Sequence, residues 1–262
     1  MRVLPESCYS ESFYAQQRDG SAASARVVVP ILRELFNPRS VVDVGCGVGG
    51  WLAEFRREGV EDVVGLDGAW LNSSQLRIQE QAFRAIDVSR PIELGRGFDL
   101  CLCLEVAEHV AEKHAQQLVD SLVSLAPLVV FSAAIPLQTG THHVNEQWPH
   151  YWASRFEERG YVVLDCVRPR IWEESAVQWW YAQNMLVFAR NDVLQQRPDL
   201  GDLAAHTHRN MLNLVHPRML AMVAASGAAT PSTRSRRAHL TSLLRSIREC
   251  LSTQVTRLLR RL

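Results

Sequence analysis

The stretch SVVDVGCGVGG at residues 40–50, followed by VVGLDG at residues 63–68, carries the reading of this chain. Val41, Val42 and Val44 form an apolar run around a carboxylate, Asp43, and lead into a glycine cluster; a second apolar run ends on Asp67. Strand, glycine turn, helix, strand is the order in which an α/β sheet builds a nucleotide site at the carboxyl ends of its strands. Gly45 and Gly47 allow a tight turn and bring ligand atoms against main-chain N–H groups, where a Cβ would collide. Asp67 is then placed to accept hydrogen bonds from ribose hydroxyls.

Gly45, Gly47 and Gly50 also satisfy the G-x-G-x-x-G of dinucleotide enzymes, so the glycines alone leave two kinds of nucleotide open. Three details favour a cationic ligand. Asp43 lies two residues before Gly45, where a negative charge gains nothing from a pyrophosphate but a great deal from a sulfonium with its α-amino group. A helix-like segment at 21–36 precedes the motif, and a third acidic strand end follows at Asp87 in RAIDVS.

With these features on one chain, the sequence resembles the class I S-adenosylmethionine-dependent methyltransferases. The resemblance covers residues 21–190. It rests on Asp43 to Gly49 as the first motif, Asp67 as the ribose acid, Asp87-Val88 as the adenine-flanking pair, and FDLCLCLEVAEHV at 98–110 as the fourth strand with its exit loop. It implies a doubly wound, mostly parallel seven-stranded sheet whose last strand is antiparallel. It also implies S-adenosylmethionine as cofactor, bound by Asp43, Gly45, Cys46, Gly47, Gly49, Asp67, Gly68, Asp87, Val88, Leu104 and Glu105.

The hydrophobic pattern agrees with α/β alternation. Short apolar runs at 40–45, 62–67, 82–87, 98–104, 127–133, 161–167 and 184–190 read as strands, and 21–36, 49–58, 71–79, 112–125 and 148–159 read as helices. The chain of 262 residues divides into an N-terminal lid or helical segment (1–36), a catalytic core (37–192), a helical extension and linker (193–230) and a basic tail (231–262). Six cysteines form no C-x-x-C pair; Cys101 and Cys103 fall on one strand face and read as buried, reduced thiols. The sequence shows no signal-peptide pattern and no apolar run of spanning length, and the expected location is the cytoplasm, with the tail allowing peripheral membrane contact.

Two loops carry the chemistry. After the fourth strand come Glu105, Glu108 and His109. The pair Glu108-His109 reads as a brace for the strand-to-helix turn, while Glu105-x-x-Glu108-His109 is also the arrangement of metal-dependent methyltransferases acting on small-RNA ribose ends and on catechols. Two carboxylates and an imidazole suit a hard divalent cation that polarises an acceptor hydroxyl, with a fourth ligand from another loop. That loop is IPLQTGTHHVNEQWPHYW at 135–152, dense in His142, His143, Asn145, Trp148 and other polar or aromatic groups. Asn145 is also placed to cap a helix starting near Gln147.

An alcohol acceptor has a pKa far above seven, so a base must take its proton as the new bond forms, and a neutral imidazole is matched to that task. The catalytic candidates are therefore His142, His143 and His109, the first two as base. Tyr14 in the aromatic N-terminal segment, together with Asn145, Trp148, Trp179 and Trp180, would line an acceptor pocket for a small molecule or a glycan.

Net charge is zero, but eight arginines against one acid in 231–262 leave about +7 there and about −7 on the rest. Residues 240–262 show a helical apolar stripe with arginines opposite, suited to a homodimer contact or a membrane surface. An acidic body and a tail without interleaved aromatics argue against nucleic acid. The expectation is O-methylation of a small-molecule or glycan hydroxyl with a loop histidine as base. The alternatives are metal-assisted O-methylation, a nicotinamide-dependent oxidoreductase, and a non-catalytic cofactor-binding scaffold.

Overall fold

The computed structural model describes residues 11–228, with side chains over residues 20–225. The basic tail at 231–262 lies outside the described residues, as does the side chain of Tyr14.

Seven strands form one sheet in the order β3-β2-β1-β4-β5-β7-β6. They are β1 (Ser40–Val44), β2 (Asp62–Asp67), β3 (Phe83–Ala85), β4 (Leu100–Leu104), β5 (Leu128–Ser132), β6 (Tyr161–Leu164) and β7 (Leu186–Arg190). All pairings are parallel except those of β7 with β5 and β6, so the antiparallel last strand expected from the resemblance is present. Every residue of β4 and β5 is buried, the mark of central strands covered on both faces.

On one face lie α1 (Glu11–Phe36) and α2 (Gly50–Arg57). Ala25, Val28, Val29 and Leu32 recur at helical spacing in α1 and are fully buried in the same core as Trp51, Leu52 and Phe55 of α2. On the other face, Leu118, Val119 and Leu122 of α3 (Ala115–Leu125) pack with Trp152 and Phe156 of α4 (Pro149–Glu157) over Cys101, Cys103 and Phe131. Four described cysteines are buried and unpaired, and burial pushes their thiols well above the ordinary range. Further along come α5 (Arg168–Ile171), α6 (Trp179–Asn184), α7 (Asn191–Gln196) and α8 (Pro198–Ala205).

The expected helix at 71–79 is instead an irregular segment with single 3-10 turns at Ser73–Gln75 and Glu80–Ala82. Asn72 explains the first: its side chain accepts from the Ser74 N–H and hydroxyl, satisfying locally a donor that a helix would have used. The chain divides into two compact units, residues 1–216 and 217–262; of the second, α9 (Pro217–Ala228) is described. No helix among the described residues is long and apolar enough to cross a membrane.

Candidate active site

The strand order reverses between β1 and β4, and an open α/β sheet binds ligands outside the carboxyl ends of its strands at such a switch point. The turn after β1 is held from β2. The N–H groups of Gly45 and Cys46 both donate to the Leu66 carbonyl, at 2.7 and 3.1 Å. Asp67, at the end of β2, accepts from the Gly47 N–H through one oxygen (2.8 Å) and from the Gly68 N–H through the other (2.6 Å). The expected ribose acid therefore also pins the glycine turn. Gly45, Gly47 and Gly49 all have φ between 53° and 80°, the left-handed region that suits glycine, and Gly49 leads directly into α2.

Asp43 sits beneath this turn, 2 % exposed, with its Oδ2 unpartnered. Burial, and then the charge of Asp67, pushes its carboxyl up to about 8. Burial raises Asp67 as well, against the two glycine N–H groups that hold it down. Two carboxylates close together in an apolar setting favour a bound cation. Asp87 is different. It is exposed, its Oδ1 accepts from the Ser89 N–H and hydroxyl, and that bonding holds its carboxyl below the usual range. Val88 beside it is half-buried. Trp70 was not singled out by its sequence context, yet its indole, on a residue 53 % exposed, lies so close over Gly68 that a β-carbon there would collide with the ring.

Past β4, Leu104 is buried and Glu105 takes φ 55°, costly backbone for a glutamate. Its carboxylate accepts from the side-chain amides of Gln138 (3.1 Å) and Asn184 (3.1 and 3.4 Å). Burial raises its pKa while those amides pull it down. Glu108, 1 % exposed, lacks that support: its Oε2 has no partner, and burial together with the charge of Glu105 pushes its carboxyl well above the ordinary range.

The histidine loop folds back onto this turn, since the N–H groups of Val144 and Asn145 both donate to the Glu108 carbonyl. Leu137, Thr139 and His142 all take positive φ, a concentration of unfavourable backbone of the kind that collects at functional loops. His143 Nδ1 lies 2.9 Å from Glu146 Oε1, and the other oxygen of Glu146 accepts from the Leu137 N–H at 3.0 Å. His143 Nε2 is 4.0 Å from Glu108 Oε1, and its ring meets His109 edge to face at 4.9 Å between centroids. His109 has an unpartnered Nδ1, and burial lowers its pKa to about 4, leaving a neutral imidazole. One ligand atom from each of Glu108, His109 and His143 lies within 4.8 Å of the others, whereas Glu105 stands outside this group.

Among the other candidates, Asn145 is buried and accepts from Gln147 rather than capping a helix, because α4 starts at Pro149 with Trp148 before it. Trp148 is half-buried. Trp179 and Trp180 meet edge to face at 5.6 Å, with Trp180 packed against the core.

Residues 14–213 match a family model described as a methyltransferase domain, which is most of the chain. No curated protein gives a significant match. Among solved structures, DesVI of Streptomyces venezuelae is 16% identical, with a TM-score of 0.54 over 72% of this chain and 100% of that one. The sugar N-methyltransferase KedS8 from Streptoalloteichus is 18% identical, with a TM-score of 0.54 over 72% of this chain and 98% of its own. The magnesium protoporphyrin IX methyltransferase ChlM of Synechocystis, solved with bound SAH, is 19% identical, with a TM-score of 0.51 and coverages of 71% and 92%. At these identities the likeness is one of fold.

Proposed function

The chain belongs to the class I S-adenosylmethionine-dependent methyltransferases, and from that premise we propose that it methylates a hydroxyl of a small molecule or glycan, with His143 as general base. The nicotinamide alternative falls with that membership. The observation that carries the proposal is the His143–Glu146 contact at 2.9 Å. An ionised carboxylate can only accept, so Glu146 keeps the proton on Nδ1 and leaves the Nε2 lone pair as the basic site. A base oriented by a second group is the arrangement that proton abstraction from an alcohol requires.

Methyl transfer from a sulfonium is an in-line displacement, so the remaining task is to place the acceptor oxygen behind the methyl carbon. In this reading Asp67 and the glycine turn hold the donor, with Asp43 facing its positive charge. Trp148, Trp179, Trp180 and Asn145 supply flat surfaces and an amide suited to a sugar ring or an aromatic alcohol. The test is release of S-adenosylhomocysteine with a panel of sugars, phenols and amines. His143→Ala should lower kcat by about 10²–10⁴-fold on a hydroxyl acceptor. Glu146→Gln should lower it by about 10–100-fold, the usual cost of losing an orienting partner. A fully active His143→Ala enzyme, or turnover with amines alone, overturns the reading.

A second reading is favoured by the cluster of Glu108, His109 and His143. Two of its three members carry an unpartnered buried polar atom, and one carboxylate with two imidazoles is a donor set that fits a divalent cation. Glu105 does not fit as a ligand here, because both of its oxygens already accept from amides. A cation held by these three residues would supply Lewis acidity toward the acceptor hydroxyl, and Glu146 would then orient His143 as a ligand. Titration of Mn²⁺ followed by electron paramagnetic resonance, on wild type and Glu108→Gln, decides between the two. Binding that Glu108→Gln abolishes favours the metal; no binding leaves His143 as base.

A further inference from the structure

A line of buried side-chain amides runs from the segment after α8 to the end of β4. The backbone N–H of His216 donates to Gln183 Oε1 at 2.8 Å. Gln183 Nε2 donates to Gln138 Oε1 at 3.1 Å and to Asn184 Oδ1 at 2.9 Å. Gln138 Nε2 donates to Glu105 Oε2 at 3.1 Å, and Asn184 Nδ2 donates to Glu105 Oε1 at 3.1 Å and to Gln138 Oε1 at 3.0 Å. Gln183 is fully buried, and Gln138 and Asn184 nearly so.

An amide side chain has a donating end and an accepting end, and a flip exchanges them. Here no flip is free. A main-chain N–H can only donate, so His216 fixes the carbonyl end of Gln183, and Gln183 must present its NH₂ to Gln138. Gln138 must then accept on its carbonyl, where the Ile135 N–H also points at 3.3 Å, and present its own NH₂ to Glu105. The direction of every bond follows from a main-chain N–H at one end and a carboxylate at the other. Buried networks of this kind are stable only when every member is satisfied, so reversing one amide would leave donor facing donor or carbonyl facing carboxylate.

The far end is anchored independently. The Arg168 guanidinium, 1 % exposed, donates to the carbonyls of Gln183 (3.1 Å) and Leu212 (2.8 Å) while paired with Asp165. The segment that presents the His216 N–H is thereby held to the residue whose amide it orients.

We propose that Gln183 is a positioning residue: together with the Ile135 N–H it holds the carbonyl end of Gln138, and through the Gln138 and Asn184 amides it orients the Glu105 carboxylate, so that the segment 207–216 acts on the cofactor end of β4. The effect on cofactor binding rests on the reading that Glu105 faces the methyl donor; the relay itself does not.

The experiment has two readouts on the full chain. In the first, calorimetry measures S-adenosylhomocysteine affinity for wild type, Gln183→Met, Gln138→Met and the double variant. Each single variant should bind about tenfold more weakly, and the double should lose less than the product of the two single losses, because Gln183 reaches Glu105 in part through Gln138 and otherwise through Asn184. Unchanged affinity in Gln183→Met, or losses that multiply in the double variant, overturns the relay. In the second, the side-chain NH₂ resonances of Gln138, assigned by their disappearance in Gln138→Met, should shift in Gln183→Met; resonances that stay in place also overturn it. Should wild type fail to bind S-adenosylhomocysteine, the donor reading fails and the resonances alone decide the relay. Should Gln183→Met fail to fold, Gln183→Leu replaces it, since it keeps comparable bulk and has no group that can donate to Gln138.

Discussion

Asp43 is a buried acid with an unpartnered oxygen and a neighbouring carboxylate, and both facts act on its proton. Its carboxyl ordinarily titrates at 3.8 and in the fold at about 8. Between those values the folded chain holds a proton that the unfolded chain has lost, so this group's contribution to stability falls as pH rises through the window and levels off above it. The nearby thiols of Cys46, Cys101 and Cys103 stay protonated there, because burial pushes them up. Urea unfolding from pH 4 to 8 should therefore show a decline in wild type that is shallower in Asp43→Asn. A cationic ligand reverses the preference, since a positive charge beside Asp43 favours the ionised form. At pH 7, S-adenosylmethionine should release close to one proton from Asp43 on binding. Calorimetry in two buffers of different ionisation enthalpy measures that number, and equal release by Asp43→Asn would place the proton elsewhere. Asp67→Ala tests the neighbouring acid as the proposed ribose partner: in that role its loss should weaken S-adenosylhomocysteine by about 1.5–3 kcal/mol. Unchanged affinity would mean that the ribose acid lies elsewhere.

The turn between β1 and α2 shows at the scale of an element why two glycines with the same sign of φ are not equivalent. A β-carbon at Gly47, φ 53°, would meet nothing within 4 Å, so Gly47→Ala carries only the left-handed backbone penalty, about 1 kcal/mol. At Gly45, φ 80°, the same atom would run into the Val106 side chain past the end of β4. Gly45→Ala adds overpacking of about 1–3 kcal/mol to the backbone term and should be the more destabilising of the two in thermal melts. Equal losses would show that Val106 moves aside freely. The turn itself was legible in the sequence because strand, glycines and acid are contiguous there. The histidine loop was legible only in part. Its density of histidines and aromatics marked it, but the pairing of His143 with Glu146 depends on irregular backbone at Leu137, Thr139 and His142, which no periodicity announces. The failed helix at 71–79 has the same origin, a side chain at Asn72 that outcompetes the helical bond at Ser74.

At the scale of the molecule, the mostly parallel seven-stranded sheet and its antiparallel last strand followed from alternating apolar runs and from the family likeness, since βαβ units leave few alternatives. The partners of Glu105 did not follow. Gln138 and Asn184 lie 33 and 79 residues away and meet Glu105 only because β5 and β7 are adjacent in the sheet. The segment 207–216 was still less legible; it read as part of an extension, yet it supplies buried partners to the core. Thr207 accepts from the Asp165 N–H at 2.9 Å, Leu212 is fully buried, and the Leu212 carbonyl accepts from Arg168 at 2.8 Å. A chain ending at residue 206 leaves the buried guanidinium short of that acceptor, at about 1.5–3 kcal/mol for a bond to a charged group. It also loses the burial of Leu212, about 1.5–3 kcal/mol more. Relative to a chain ending at residue 216, the shorter one should be less stable by roughly 3–6 kcal/mol, a large share of what a domain usually has. Urea denaturation of the two measures the difference. A gap below about 1 kcal/mol, the size of a single neutral hydrogen bond, would mean that Asp165 and the Gln183 carbonyl suffice for Arg168 and that residues 207–216 are an appendage after all.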